Sequence, residues 1–327
     1  MGLMQEVAPY AVYRMAPPVP KLEVRYMGTG GGLFFVAIKN LLLTLITLGI
    51  YLPWARTERR KYLWQNVEVG GQRLRYHGTG AEVFVGYLKV ALVYGVLFGV
   101  PMLISMVNGI AGLIAQVLGF CTIVLLIPIA IYGSRRYRLS RTSLRGVRFG
   151  QEPGAKGFLR VYLVTVLLSV VSFGLYMPIG QNHLHEYLTS RSRYGSERFA
   201  YDGSDSDAWR IVFVGRLLSM VTLGIYYPWY MAEFARFRVS HTIFQGARGQ
   251  LDLTGGDVWK ILLVAVFGTV FSLGIAVPWI TTYALRIVTA KISFNGVIDY
   301  ARVEQRPVEG GAAADDLASA LDVGIDL

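Results

Sequence analysis

Few residues in this chain have the types and spacing that chemistry needs. HLHEY at 183–187 gathers His183, His185 and Glu186. Metal-binding helices set their ligands three or four residues apart so that they share a face. His183 and His185 are two apart, so on a helix they point in different directions. The cluster reads instead as the polar face of an amphipathic helix. His77 and His241 have no partner in sequence. GTGGG at 28–32 has the glycines of a phosphate loop but not its Lys-Ser/Thr, and GTG returns at 78–80, which marks a structural turn. Asp202, Asp205 and Asp207 in YDGSDSD fit a helix start capped by Asp or Ser, and match no calcium-loop spacing. No Ser, His and Asp arrangement and no spaced carboxylate pair stands out. The sequence therefore points away from an enzyme, and no cofactor or metal is expected.

What remains is a set of basic and aromatic side chains held in register with Pro53, Pro128, Pro178, Pro228 and Pro278. Eight residues after these prolines come Lys61, Arg136, Glu186, Arg236 and Arg286, and the next position holds Tyr62, Tyr137, Tyr187, Phe237 and Ile287. Twenty after them stand Arg73, Arg148, Arg198 and Arg248, with Ile298 breaking the pattern. Lys61, Arg73, Arg136, Arg148, Arg198, Arg236, Arg248 and Arg286 are the candidate contacts for anionic lipid headgroups or an anionic solute. Trp54, Tyr62, Tyr137, Tyr187, Trp229 and Trp279 are the candidate interfacial anchors, since aromatic rings settle at headgroup level. The plainer reading is anchoring alone, with the basic stems snorkelling to the surface.

The elements that position these residues repeat. TLGIYLPWAR at 47, SFGLYMPIGQ at 172, TLGIYYPWYM at 222 and SLGIAVPWIT at 272 align, and VLLIPIAIYG at 124 is a weaker fifth. Gly49, Gly174, Gly224 and Gly274 precede their prolines by four residues, and Gly71, Gly146, Gly246 and Gly296 follow theirs by 18, where the third copy has Gly195-Ser196. Each unit reads as an apolar helix, a Gly break, a Pro-opened amphipathic helix with the basic-aromatic pair, and a β-hairpin. RYMGTG at 25 sits 50 residues before RYHGTG at 75, so the first unit is preceded by the last strand of another. The fold class is membrane α+β with five pseudo-repeats, the hairpins joined in one cytoplasmic sheet or small barrel.

Composition agrees. Hydrophobic residues make up 54% of the chain and charged ones 16%, too few for an ordinary soluble domain. The net charge of +11 clusters beside the apolar segments, as on the cytoplasmic face of a membrane protein. Nucleic-acid binding lacks a basic soluble domain to carry it. The first unit's apolar core, Leu41 to Trp54, is 14 residues, a length that suits a re-entrant segment better than a span. The first proline interval is 75 residues and the others are 50. The extra length makes one hairpin, about 82–107 and 109–133, a true crossing. Six alternating spans are the rival arrangement. Cys121 stands alone in an apolar run and reads as a small core residue. Residues 1–21 read as an extended lead-in without signal-peptide features, 22–303 as one repeat-built membrane domain, and 304–327 as an acidic flexible tail.

TLGIYLPWAR, the following RRKYLWQN and the GGQRLRYHGTG hairpin resemble the YjgN family of bacterial inner-membrane proteins. The resemblance implies an inner-membrane location and a multi-pass architecture without an assigned activity. Glu186 and Ile298 depart from the basic register. Two functions follow: a non-enzymatic membrane scaffold or anionic-lipid-interacting protein with a cytoplasmic docking face, or a transporter or channel for a small solute, anionic or not. The partners expected are membrane lipids and a protein that the sequence does not name.

Overall fold

A computed structural model describes residues 21–305. The lead-in, apart from Lys21, and the acidic tail from residue 306 lie outside the described residues. The chain begins β1 (Lys21–Tyr26), α1 (Gly30–Ile46), α2 (Leu52–Gln65), β2 (Val67–Val69), β3 (Gln72–Arg73) and β4 (Arg75–Tyr76). Next come α3 (Gly80–Tyr94), a π-helical turn (Gly95–Gly99), α4 (Val100–Val107), α5 (Gly109–Ser140), β5 (Thr142–Leu144) and β6 (Val147–Gln151). Helix pair and strand pair then alternate: α6 (Ala155–Val171), α7 (Met177–Ser190), β7 (Ser192–Tyr194) and β8 (Glu197–Tyr201). They are followed by α8 (Asp205–Val221), α9 (Tyr227–Ser240), β9 (Thr242–Phe244) and β10 (Ala247–Leu251), and the order closes on α10 (Gly255–Phe271), α11 (Val277–Ala290) and β11 (Ile292–Asn295).

The GTG segments are helix starts. Thr29 caps α1 and Thr79 caps α3, each accepting from the amide three residues on, at 3.1 and 3.3 Å. Thr254 caps α10 in a reciprocal box with Asp257. Four helix pairs share one turn. Leu48-Gly49, Phe173-Gly174, Leu223-Gly224 and Leu273-Gly274 all have left-handed φ, near 50° at the first residue and 88–93° at the glycine. Glycine takes that conformation without the steric cost a side chain brings.

All eleven strands form one antiparallel sheet, in the order β3-β2-β1-β11-β10-β9-β8-β7-β6-β5-β4. Its two edges, β3 and β4, are separated only by Leu74, so the sheet curls into a nearly closed barrel. The hairpin turns are two residues long. Arg145-Gly146 and Gln245-Gly246 have positive φ at both positions, as type I′ turns require. The helices ring one end of this barrel, each pair packed on the next, and α11 packs on α1 to complete the circle. Leu144, Tyr194, Phe244 and Val303 fill the barrel.

Three expectations change. Pro128 does not open a helix but lies inside the 32-residue α5. It lacks the glycine four residues earlier that turns the other pairs, where Val124 stands instead. The long pair reverses at Asn108, which caps α5 through its side chain. The fifth hairpin does not form within 292–303. β11 pairs with β1, and residues 298–305 lie across the barrel mouth, where Ile298, the residue that breaks the arginine register, joins the barrel core. Cys121 is exposed on α5, not a core residue.

Candidate functional site

Three regions have functional character: the helix tips, the basic belt between helices and barrel, and the barrel mouth. At the tips, Leu48, Phe173, Leu223 and Leu273 are 94%, 97%, 94% and 92% exposed. Large apolar side chains so placed mark a surface that water does not face. The backbone there is satisfied internally. Thr47, Ser172, Thr222 and Ser272 accept through their hydroxyls from the amides of Tyr51, Tyr176, Tyr226 and Ala276, at 2.9–3.0 Å. The tip glycine amides donate to carbonyls five residues back, as Gly224 does to Ser219 at 2.6 Å. A backbone that hydrogen-bonds to itself tolerates hydrocarbon.

The helix-borne basic candidates stand near the other end of the pairs. Arg236 and Arg286 are exposed, and Lys61 and Arg136 half-buried. Arg286 donates to Gly28 O at 2.7 Å, tying α11 to the start of α1. The strand-borne candidates face outward, because the neighbouring Leu74, Phe149 and Phe199 face the barrel interior. Arg198 pairs with Glu152 and Arg248 with Asp202. Arg73 lines a polar notch at the seam with Arg75 and Arg145, and the Arg148 amide donates to Gln305 Oε1 at 2.8 Å. The eight are thus a girdle around the outside, not a lining of one site.

The aromatic candidates divide. Trp54, Trp229 and Trp279 each cover a glycine at the start of a neighbouring pair: Gly80, Gly255 and Gly30. They are half-exposed and join one pair to the next. The tyrosines act as locks within a pair. Tyr62 donates to Thr29 O at 2.9 Å and Tyr187 to Gly154 O at 2.9 Å. Tyr137 is buried and donates to Glu82 Oε2 at 2.8 Å. Each hydroxyl satisfies a polar group at the first turn of the opposing helix, which draws the ring inward.

HLHEY divides as well. His183 Nε2 meets Asp205 Oδ2 at 2.7 Å, while His185 packs edge-on against Tyr201 at 5.0 Å. Burial, then the charges of Arg238 and Arg135, holds His185 down to about 3. The sequence reading missed this inner belt. Its signal was helical spacing: Arg60, Arg135 and His185 follow the buried Thr57, Tyr132 and Asn182 by three residues, on the same inward stripe.

The mouth is covered by the last described residues. Tyr300 lies under the Arg145 guanidinium at 4.0 Å. Gln245 exchanges two hydrogen bonds with the Asp299 backbone, at 2.9 and 3.3 Å. Behind them is an apolar cavity of 170 Å³ lined by Leu22, Phe149, Phe199 and Phe294 among others.

A chain whose helix tips and long paired helices are apolar on the outside, over a polar-faced barrel, is a membrane protein. Gly80–Val107 and Gly109–Ser140 are each long and apolar enough to cross a bilayer. The chain belongs to the family described as "Bacterial protein of unknown function (DUF898)", which matches residues 21–215 and 197–248. It is 40% identical over 156 residues to "Inner membrane protein YjgN" of Escherichia coli K12, covering 48% of this chain and 37% of that protein. The protein of the same name in Salmonella typhimurium is 32% identical over 149 residues, covering 45% and 36%. The match thus spans under two-fifths of these relatives' length. No solved structure matches.

Proposed function

We propose that the chain is a non-enzymatic inner-membrane protein that seats its barrel at the lipid surface, contacts anionic headgroups around it and offers the barrel as a cytoplasmic docking face. The observation that carries this reading is the set of four exposed apolar tips with internally satisfied backbone. Their reach supports it. Lys39, paired with Glu58, is nine residues from Leu48, or about 14 Å of helix, near the ~15 Å of hydrocarbon in one leaflet. Arg210 to Leu223 is 13 residues, about 20 Å, so these tips end inside the bilayer. Glu82 to Asn108 is 26 residues, about 39 Å, which exceeds the ~30 Å core. Among the described residues, the α3–α5 pair alone has the length to cross. Close packing of its arms, Gly112 on Ser105 and Gly119 on Leu97, suits a hairpin in lipid.

One hydrogen-bonded sheet supports a common side for all strands, and excess Lys and Arg near it favours the cytoplasm. Because Glu152 and Asp202 neutralise Arg198 and Arg248, headgroup contact falls chiefly to the helix-borne Lys61, Arg236 and Arg286. An apolar groove of 580 Å³ between α1 and the α10–α11 turn has the character an acyl chain needs. The barrel core and its covered mouth oppose a solute path along the axis. Intramembrane charge is the usual mark of a transport path; of the two deep charges, Lys89 is half-buried on α3 and Arg216 is exposed beside Met177 Sδ at 3.5 Å.

Single cysteines in a Cys121→Ser background, probed with an impermeant maleimide, test the arrangement. Ser196→Cys and Gly246→Cys should label together and only from the cytoplasm, Asn108→Cys from the opposite face, and Leu223→Cys from neither. Labelling of Ser196→Cys and Gly246→Cys from opposite faces overturns the reading.

A further inference from the structure

The helix ring meets the barrel at a buried cluster of donors that the outer girdle does not explain. Gln151 on β6 and Ser192 on β7 are directly paired in register, so their side chains share one face of the sheet. Arg135 of α5 reaches into the same space, with Nη2 3.4 Å from Ser192 Oγ. Arg135 Nε and both amide atoms of Gln151 are buried without a hydrogen-bond partner. From the α7 side comes His185, its Nε2 3.4 Å from Thr189 Oγ1. From α9 comes Arg238, its guanidinium 4.2 Å above the Phe234 ring. Both guanidiniums lie within electrostatic reach of His185, and burial lowers the pKa of Arg238. Among the described residues, no carboxylate is joined to Arg135, His185 or Arg238 by an ion pair or hydrogen bond.

Holding two guanidiniums inside a protein without a counter-charge is costly, and an unmade buried hydrogen bond adds to the cost. Donors from Arg135 and the Gln151 amide nitrogen, with a second guanidinium behind them, suit an accepting ligand, while the Ser192 hydroxyl already donates to Leu188 O at 2.8 Å. Tetrahedral oxyanions are such ligands, and arginine meets them in a planar fork. We propose that the space among Arg135, Gln151, His185, Ser192 and Arg238 binds a phosphate-like oxyanion, either free or as the headgroup of an anionic phospholipid. The site lies inward of the girdle and does not depend on how the tips sit in lipid.

The full chain in an uncharged detergent provides the test. Its unfolding midpoint is followed at constant ionic strength against inorganic phosphate, and separately against phosphatidylglycerol in the same micelles, with chloride and phosphatidylcholine as controls. The midpoint should rise saturably with at least one of the two. Saturation by phosphate alone identifies a free oxyanion, and a response only to phosphatidylglycerol identifies a headgroup. Arg135→Gln and Arg238→Gln should each shift the response at least tenfold to higher concentration. Arg25→Gln, on the exposed face of β1, should not. Without anion, the two interior variants should unfold no earlier than wild type, because each removes a buried charge that lacks a counter-charge. An arginine with a merely structural role would lower the midpoint instead. A flat wild-type titration with both anions, or an unchanged response in Arg135→Gln and Arg238→Gln, overturns the proposal. The wild-type titration stands even if one variant does not fold.

Discussion

Replacing Gly30 by Ala tests how the ring of helices closes. Gly30 begins α1, and a methyl group there would overlap the indole of Trp279, which lies across it from α11. The ring must shift off its position, and overpacking of this kind costs about 1–3 kcal/mol. Ala is a better helix former than Gly by up to about 1 kcal/mol, which offsets part of the loss. The net destabilisation should therefore be about 1–2 kcal/mol. Gly31 supplies the control, because nothing lies within 4 Å of the methyl that Ala would place there. Gly31→Ala should be neutral or slightly stabilising, since only the helix term acts. Trp279→Leu makes room for the new methyl, so Gly30→Ala with Trp279→Leu should cost less than the sum of the single changes, by about 1 kcal/mol or more. Denaturant or thermal unfolding in detergent reads all four proteins. Equal midpoints for Gly30→Ala and Gly31→Ala, or strict additivity in the double variant, would refute this account of closure.

Thr222→Val should cost about 1–3 kcal/mol of unfolding free energy, because it removes the hydroxyl that accepts from Tyr226 N and donates to Leu218 O at 2.7 Å. Thr222→Ser should retain most of the stability, and equal midpoints for the two would show that the hydroxyl is idle. Asp257 is held well below the usual carboxylate range by Lys291, then by the Thr254 hydroxyl and amide. Its folded pKa is depressed, so its contribution is present above about pH 4, the unfolded value. It is lost as pH falls through the lower folded value. Asp257→Asn should therefore lower the midpoint at pH 7 and narrow its difference from wild type in acid, and a difference independent of pH would contradict this.

The repeated prolines and glycines carried much of the architecture. The tip turn was legible because Gly49, Gly174, Gly224 and Gly274 keep one distance from proline, and a residue with φ near 90° has few alternatives to glycine. The single sheet was legible from the common register of the hairpin glycines, and the long α3–α5 pair from the 75-residue interval. Pro128 misled because proline is compatible with both a helix start and a helix interior whose surroundings absorb the lost donor. The girdle residues were found because they keep fixed distances of 8 and 20 residues from the repeated prolines. Arg135 had a signal in its spacing from the buried Tyr132, but Arg238 stands ten residues after Pro228 where Arg135 stands seven after Pro128, and only the packed ring shows that the two look toward one another's neighbourhood. The placement of Ile298 and Tyr300 over the barrel mouth had no local signature.

The pairing of β11 with β1 has a consequence for synthesis. The first of the described strands to be made waits for the last, while every other junction joins strands consecutive along the chain. Until α11 and β11 have been made, β1 has one unpaired edge and β10 another, both suited to recruit strands from elsewhere. A ribosome stalled anywhere in the final pair would release an open arc rather than a ring, with Gly30 uncovered and the barrel unsealed. Quality control that senses unpaired strand edges would therefore meet additional edges in every copy stalled before β11, beyond the β3 and β4 edges that the finished sheet keeps.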